Sequence, residues 1–160
     1  MIDVTLAPDE LLLCQFVGRA RSLIARTAKV HDAKQGDQDG PEADVRGFAA
    51  EFAFAKKHNT FPDLGLTPRS GSADGLVGKF RYDIKSTHYP SGKLLCTLKD
   101  NADVDIYVLA IVDLPVVKFP GWVFKDELRS PGNIKSLGHG DGYVLEQKDL
   151  RKFKEEVICG

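Results

Sequence analysis

Apolar positions recur along this chain in two rhythms, one of 3.6 residues and one of two, and the change comes near residue 75. In the stretch from Glu10 to Val30, residues Leu13, Phe16, Val17, Ala20, Leu23, Ile24 and Thr27 fall at helical spacing, with Arg19, Arg26 and Lys29 elsewhere. Pro8-Asp9 stands just ahead, where helices begin, so the spacing predicts an amphipathic helix over about residues 9–30. The polar, Gly- and Asp-rich "HDAKQGDQDGP" reads as a loop. A second helix is predicted over "PEADVRGFAAEFAFAKKHN". Pro41 lies near its start, acids occupy its first turn, and Lys56, Lys57 and His58 its last, in keeping with the helix dipole. "TFPDLGLTPRSGSAD" reads as loop with a short strand near Leu64.

From Gly75 the pattern alternates. "GLVGKFRYDIKS" predicts a hairpin turning at Gly78-Lys79, with Phe80, Tyr82 and Ile84 opposed to Arg81, Asp83 and Lys85 across its second strand. "KLLCTL" fits a strand or a short helical turn. "VDIYVLAIVDL" is apolar on both faces, the mark of a strand in the middle of a sheet. "GWVF" and "GYVLE" predict short strands, "KDELRS" a helical turn and "QKDLRKFKEEV" a closing helix. The order predicts a single α/β domain over residues 1–160, built on a central mixed sheet flanked by helices.

Composition narrows the function. An apolar fraction of 42% and a charged fraction of 28% suit a soluble globular chain. Its longest apolar runs, such as "IYVLAIV", are too short to span a bilayer, and "MIDVTLAPDE" lacks the regions of a secretory signal. Cys14, Cys96 and Cys159 are odd in number and widely spaced, which suits reduced thiols and offers no zinc spacing. The expectation is a cytoplasmic protein with no membrane partner. A net charge of −1 argues against coating nucleic acid by bulk electrostatics. Locally the balance differs: six Lys/Arg against two acids lie between Arg69 and Lys99. Arg69, Lys79, Arg81, His88 and Lys93 in and around this stretch are candidates for touching phosphates.

Asp83 and Lys85 sit two apart on the hairpin strand, so they share a face with Cα atoms roughly 6.5 Å apart. They are either an exposed ion pair or a metal ligand beside the group that handles an attacking water. The acid-x-Lys pattern occurs three times, at Asp32, Asp83 and Glu146, and chance alone supplies roughly two. Only the one at Asp83 lies in an alternating strand with an apolar middle residue. Two further acids bear on it. The hairpin returns Asp74, in "SADGLVG", beside Asp83. Glu51 has Gly47, Phe48, Phe54 and Ala55 as helical neighbours, which aims a carboxylate at the sheet, a costly place unless it is paired or bound to a cation.

Taken together, "RGFAAEFAFAKKHN", "SADGLVG", "YDIKST", "ADVDIYVLAIV" and "GWVF" resemble the PD-(D/E)XK nuclease superfamily over about residues 42–125. The resemblance implies a restriction-endonuclease-like core, with the first helix outside it, and a metal-dependent nuclease acting on phosphodiesters, foremost DNA. It implies Glu51 as the helix acid, Asp74 and Asp83 as the second- and third-motif acids and Lys85 as the catalytic lysine. The Ile84 carbonyl would complete the shell of a Mg²⁺ or Mn²⁺ ion. Such an ion takes hard oxygen ligands, lowers the pKa of water and offsets phosphate charge. Two departures stand out. The second motif reads Ala73-Asp74, while a literal Pro62-Asp63 lies upstream; Asp74 is preferred because its strand leads straight into that of Asp83. The family's helix before the buried strand is also reduced here to part of "SGKLLCTLKDNAD". The rival reading is a catalytically inactive module on the same fold that binds nucleic acid or protein. The four histidines lack ligand spacing, and Trp122 reads as packing. The first helix is the natural candidate for forming a homodimer.

Overall fold

The computed structural model describes residues 1–28, 40–67, 72–99, 103–138 and 140–153. It is a mixed α/β structure. Eight strands and three helices follow in the order β1 (Ile2–Thr5), α1 (Pro8–Thr27), α2 (Gly40–Lys57), β2 (Gly75–Val77), β3 (Phe80–Thr87), β4 (Leu94–Thr97), β5 (Ile106–Asp113), β6 (Val116–Phe124), α3 (Lys125–Leu128), β7 (Ile134–Ser136) and β8 (Asp141–Leu145). The main sheet has the order β1-β6-β5-β3-β2, parallel only between β3 and β5. A second, antiparallel sheet has the order β4-β8-β7.

The buried strand "IYVLAIV" is indeed central, with all seven residues buried. One of its faces, Ile106, Val108, Ala110 and Val112, joins Phe48, Phe54 and Tyr82 in the core beneath the helices. The other, Tyr107, Leu109 and Ile111, packs with Leu94 and Cys96 of the second sheet and Leu128 of α3. The β2–β3 hairpin turns at Gly78-Lys79 as the pattern predicts; Gly78 takes φ +55°, a left-handed conformation that glycine adopts without a Cβ clash. "KLLCTL" resolves as a strand.

Four expectations change. β1 and β7 were not anticipated: Ile2–Thr5 and Ile134–Ser136, four and three residues at sheet edges, are too short to show a rhythm. No strand forms near Leu64 among the described residues 61–67. The closing helix is absent over its described part: Gln147–Asp149 make one 3-10 turn, and Arg151 then pairs with Trp122 through two backbone hydrogen bonds of 2.8 and 3.0 Å. Glycine at position 121 opens that route, since a Cβ there would lie 2.5 Å from the Arg151 carbonyl oxygen. Residues 154–157 of the predicted helix lie outside the described residues.

The fourth change concerns α1. Its buried residues are Cys14, Val17, Gly18 and Ser22, whereas Phe16 and Leu23 of the predicted stripe are exposed. The cause is close packing. A Cβ on Gly18 would stand 2.5 Å from Val45 Cα, so α1 and α2 meet through small side chains where large ones do not fit. Among the described residues no helix is long and apolar enough to cross a membrane.

Candidate active site

Asp83 and Lys85 behave as strand alternation requires. Ile84 joins the core under α2, so its two neighbours project to the other side of the sheet, where the Lys85 ammonium stands 5.8 Å from the centre of the Tyr107 ring. That ammonium bonds both Asp83 carboxylate oxygens, at 2.7 and 2.8 Å. Asp83 is almost wholly buried, and Lys85 half-buried. Burial alone would depress the lysine, but the Asp83 charge and hydrogen bond, with Asp74 behind them, outweigh it and leave its pKa raised. Lys85 is therefore an ammonium at neutral pH, a donor and not a base.

Asp74 closes the hairpin. Its N–H donates to the Tyr82 carbonyl at 2.8 Å, and its Oδ2 accepts the Ile84 N–H at 2.7 Å. The N–H and C=O of one strand residue point to the same side, so the Ile84 carbonyl faces the same edge as the Asp74 carboxylate. Burial, then the charges of Glu51 and Asp83, push the Asp74 carboxyl well above the usual range, while the Ile84 bond and Lys85 pull it back. By accessible surface Asp74 is only half-buried, so water screens part of that effect. The neighbouring Tyr82 hydroxyl is raised to about 12 by burial, Asp74 and Glu51.

Glu51 does lie on the inward side of α2, and its partner is one the sequence reading overlooked. Arg21 of α1 donates to Glu51 Oε2 at 2.9 Å. The same guanidinium donates to the Gly65 and Asp63 carbonyls at 2.9 and 2.6 Å and lies 4.8 Å from the Phe48 ring centre. The signal was present: Arg21 continues the stripe of Cys14, Val17 and Gly18 by one turn. Asp63, the alternative second-motif acid, is taken up by its own loop, where Oδ1 accepts the Gly65 N–H at 2.7 Å.

Asp74 thus feels the charges of both Glu51, on α2, and Asp83, on β3. The donor set is hard oxygen and suits Mg²⁺ or Mn²⁺ chemically. As they stand, no three His, Cys, Asp or Glu side chains among the described residues are grouped so that they could hold a metal ion.

The candidate phosphate contacts are dispersed. Arg81 pairs with Asp105 at 3.1 Å and Asp103 at 3.4 Å, and Lys93 with Glu146 at 2.7 Å. Lys79 lies 5.4 Å from the Phe80 ring centre, and the His88 ring stacks 3.9 Å from that of exposed Tyr89. Arg69 lies outside the described residues. Arg81 and Lys93 are thus matched by acids from elsewhere in the chain.

Compared with protein-family profiles, with curated proteins and with solved structures, the chain finds no match in any of the three.

The raised Asp74 carboxyl gives a pH signature. Between the unfolded value of 3.8 and its raised folded value, the native state binds more protons than the unfolded state, so stability falls as pH rises. Asp74→Asn keeps an oxygen for the Ile84 N–H and removes that dependence. In chelator the variant should melt above wild type at pH 8, with the gap closing towards pH 4. Thermal melts across that range check it; a variant that melts lower at pH 8 would contradict the charge crowding.

Proposed function

We propose that this chain is a metal-dependent nuclease of the PD-(D/E)XK type, hydrolysing phosphodiester bonds in DNA. The observation that carries the reading is Asp74, crowded at the free edge of β3 by Glu51 and Asp83 while Asp83 holds Lys85. A retired site has no physical reason to keep like charges together. A restriction-endonuclease-like core is supported by the β2–β3 hairpin, by β3 running parallel to β5, and by α2 packing on that sheet. It is weakened by β4, which joins a second sheet where the family places a helix.

In this reading Asp74, Asp83 and the Ile84 carbonyl would hold Mg²⁺ or Mn²⁺, with Glu51 joining if Arg21 releases it. When bound, the ion lowers the pKa of the attacking water and offsets charge on the phosphate. Asp83 keeps Lys85 protonated and oriented. Lys85 donates hydrogen bonds to the attacking water or to a phosphate oxygen, and so acts by positioning and electrostatics, not by proton abstraction.

A second reading has one observation in its favour. The Arg21–Glu51 pair satisfies the helix carboxylate without a metal ion, as it would in a catalytically silent module that binds nucleic acid or protein. Plasmid, linear duplex, single-stranded DNA and RNA incubated with Mg²⁺, Mn²⁺ or chelator separate the two. Cleavage of at least one DNA form with metal alone is expected. No cleavage of any form with either ion would leave the binding module.

A further inference from the structure

We propose that the outer stripe of α1 is a self-association surface, on which a second copy of this chain docks its own α1 in antiparallel orientation. Leu12, Phe16 and Leu23 are 66%, 68% and 67% exposed on a 20-residue helix whose other side, through Cys14, Val17 and Gly18, packs against α2. With Asp9, Arg19 and Arg26 they occupy positions 9, 12, 16, 19, 23 and 26, the alternating three- and four-residue spacing of a coiled-coil seam. Charge selects both the occupant and its direction. A two-fold axis crossing the helix between Val17 and Gly18 sets Leu12 against Leu23 of the second copy and Phe16 against Arg19. It also sets Asp9 against Arg26 at both ends. A parallel pair would instead oppose Asp9 to Asp9 and Arg26 to Arg26. The stripe is thus complementary to its own reverse, as an isologous contact demands.

Both charged residues are available for this. Asp9 and Arg26 are exposed, and Arg26 spends one nitrogen on Ser22 Oγ at 2.6 Å. Arg19 meets Glu42 of its own chain only loosely, at 3.6 Å with both side chains at least half exposed. Two paired helices stand at the low end of specific interface sizes, so the dimer should dissociate on the order of micromolar concentration.

Sedimentation equilibrium of the full chain over roughly 1–200 µM tests this. Wild type should be in monomer–dimer exchange, and Phe16→Lys, which sets a like charge against Arg19 of the second copy, should weaken association by about tenfold or more. Asp9→Arg and Arg26→Asp should each weaken it by roughly three- to tenfold, and the double variant carrying both should return to within about twofold of wild type. All three substituted positions are exposed, and circular dichroism melts confirm that each variant folds. A wild type that stays monomeric throughout, association that survives Phe16→Lys, or a double variant no better than the singles would each overturn the proposal. None of these outcomes depends on whether the chain cleaves DNA.

Discussion

Asp83→Asn is expected to abolish DNA cleavage and to remove the response to Mn²⁺, whereas Lys85→Ala should retain metal binding and lose about 10²–10³-fold in cleavage rate, the scale of one lost hydrogen-bond donor. The division follows from the geometry. Asp83 is the group through which Lys85 is held, since both of its oxygens bond the ammonium. It also lies close enough to Asp74 to raise that carboxyl. Losing it removes a ligand charge and frees the lysine together. Losing Lys85 removes a donor and leaves the carboxylates in place. Calorimetric titration with Mn²⁺ separates the two roles, and equal loss of metal binding in both variants would contradict them. The stability effect of Asp83→Asn should differ from that of Asp74→Asn. Neutralising Asp83 leaves a half-buried ammonium without its anion, so the metal-free variant should melt lower, not higher.

The largest expected loss of stability is at Phe54. Its ring is fully buried, with the rings of Tyr82 at 4.7 Å, Phe119 at 5.4 Å and Phe153 at 6.1 Å. It therefore ties α2 to β3, to β6 and to the stretch after β8. Phe54→Ala should cost about 3–5 kcal/mol, through lost burial and the cavity left behind. Against a total of roughly 5–15 kcal/mol that is a large share, and the melting point should fall by about 6–20 °C. Phe54→Leu, which keeps most of the volume, should lose far less. If the two variants melt together, the aromatic cluster is not what holds the helix to the sheet. Because the Tyr82 hydroxyl stands near Asp74 and Glu51, Phe54→Ala should also disturb the candidate site from beneath.

What could be read from the sequence divides along physical lines. Elements whose rhythm comes from a single face or from complete burial were legible: both long helices, the β2–β3 hairpin and β5. Strands too short to carry a rhythm, β1 and β7, were not. The 147–153 stretch has the composition of a helix, but the opening at Gly121 lets its backbone pair with β6 instead. The α1 stripe departs from its apolar pattern because the helix contact at Gly18 demands small residues, so apolar size is not the sign of burial there. At the candidate site, strand alternation sufficed to place Asp83 with Lys85 on one face and Asp74 beside them. It could not supply the Arg21–Glu51 pair, thirty residues apart in the chain: Arg21 continues the packed stripe of α1, but the pattern of one helix does not say which carboxylate of the other it meets.

The double burial of β5 has one more implication, for how its alignment is chosen. In a strand with one wet face, a slip of one residue puts charges in the core, and polarity forbids it. No such guard exists for Ile106–Val112, where every side chain is apolar or aromatic and buried. What distinguishes its two sides is bulk. Tyr107 and Leu109 fill the space under the second sheet, while Ala110 sits beneath the helices with Phe48 and Phe54. A slipped strand would press a tyrosine towards the helices and leave an alanine-sized void across from Leu94. Register in the middle of this protein is therefore enforced by volume and not by solubility, which makes Ala110 as much a specifying residue as any charge.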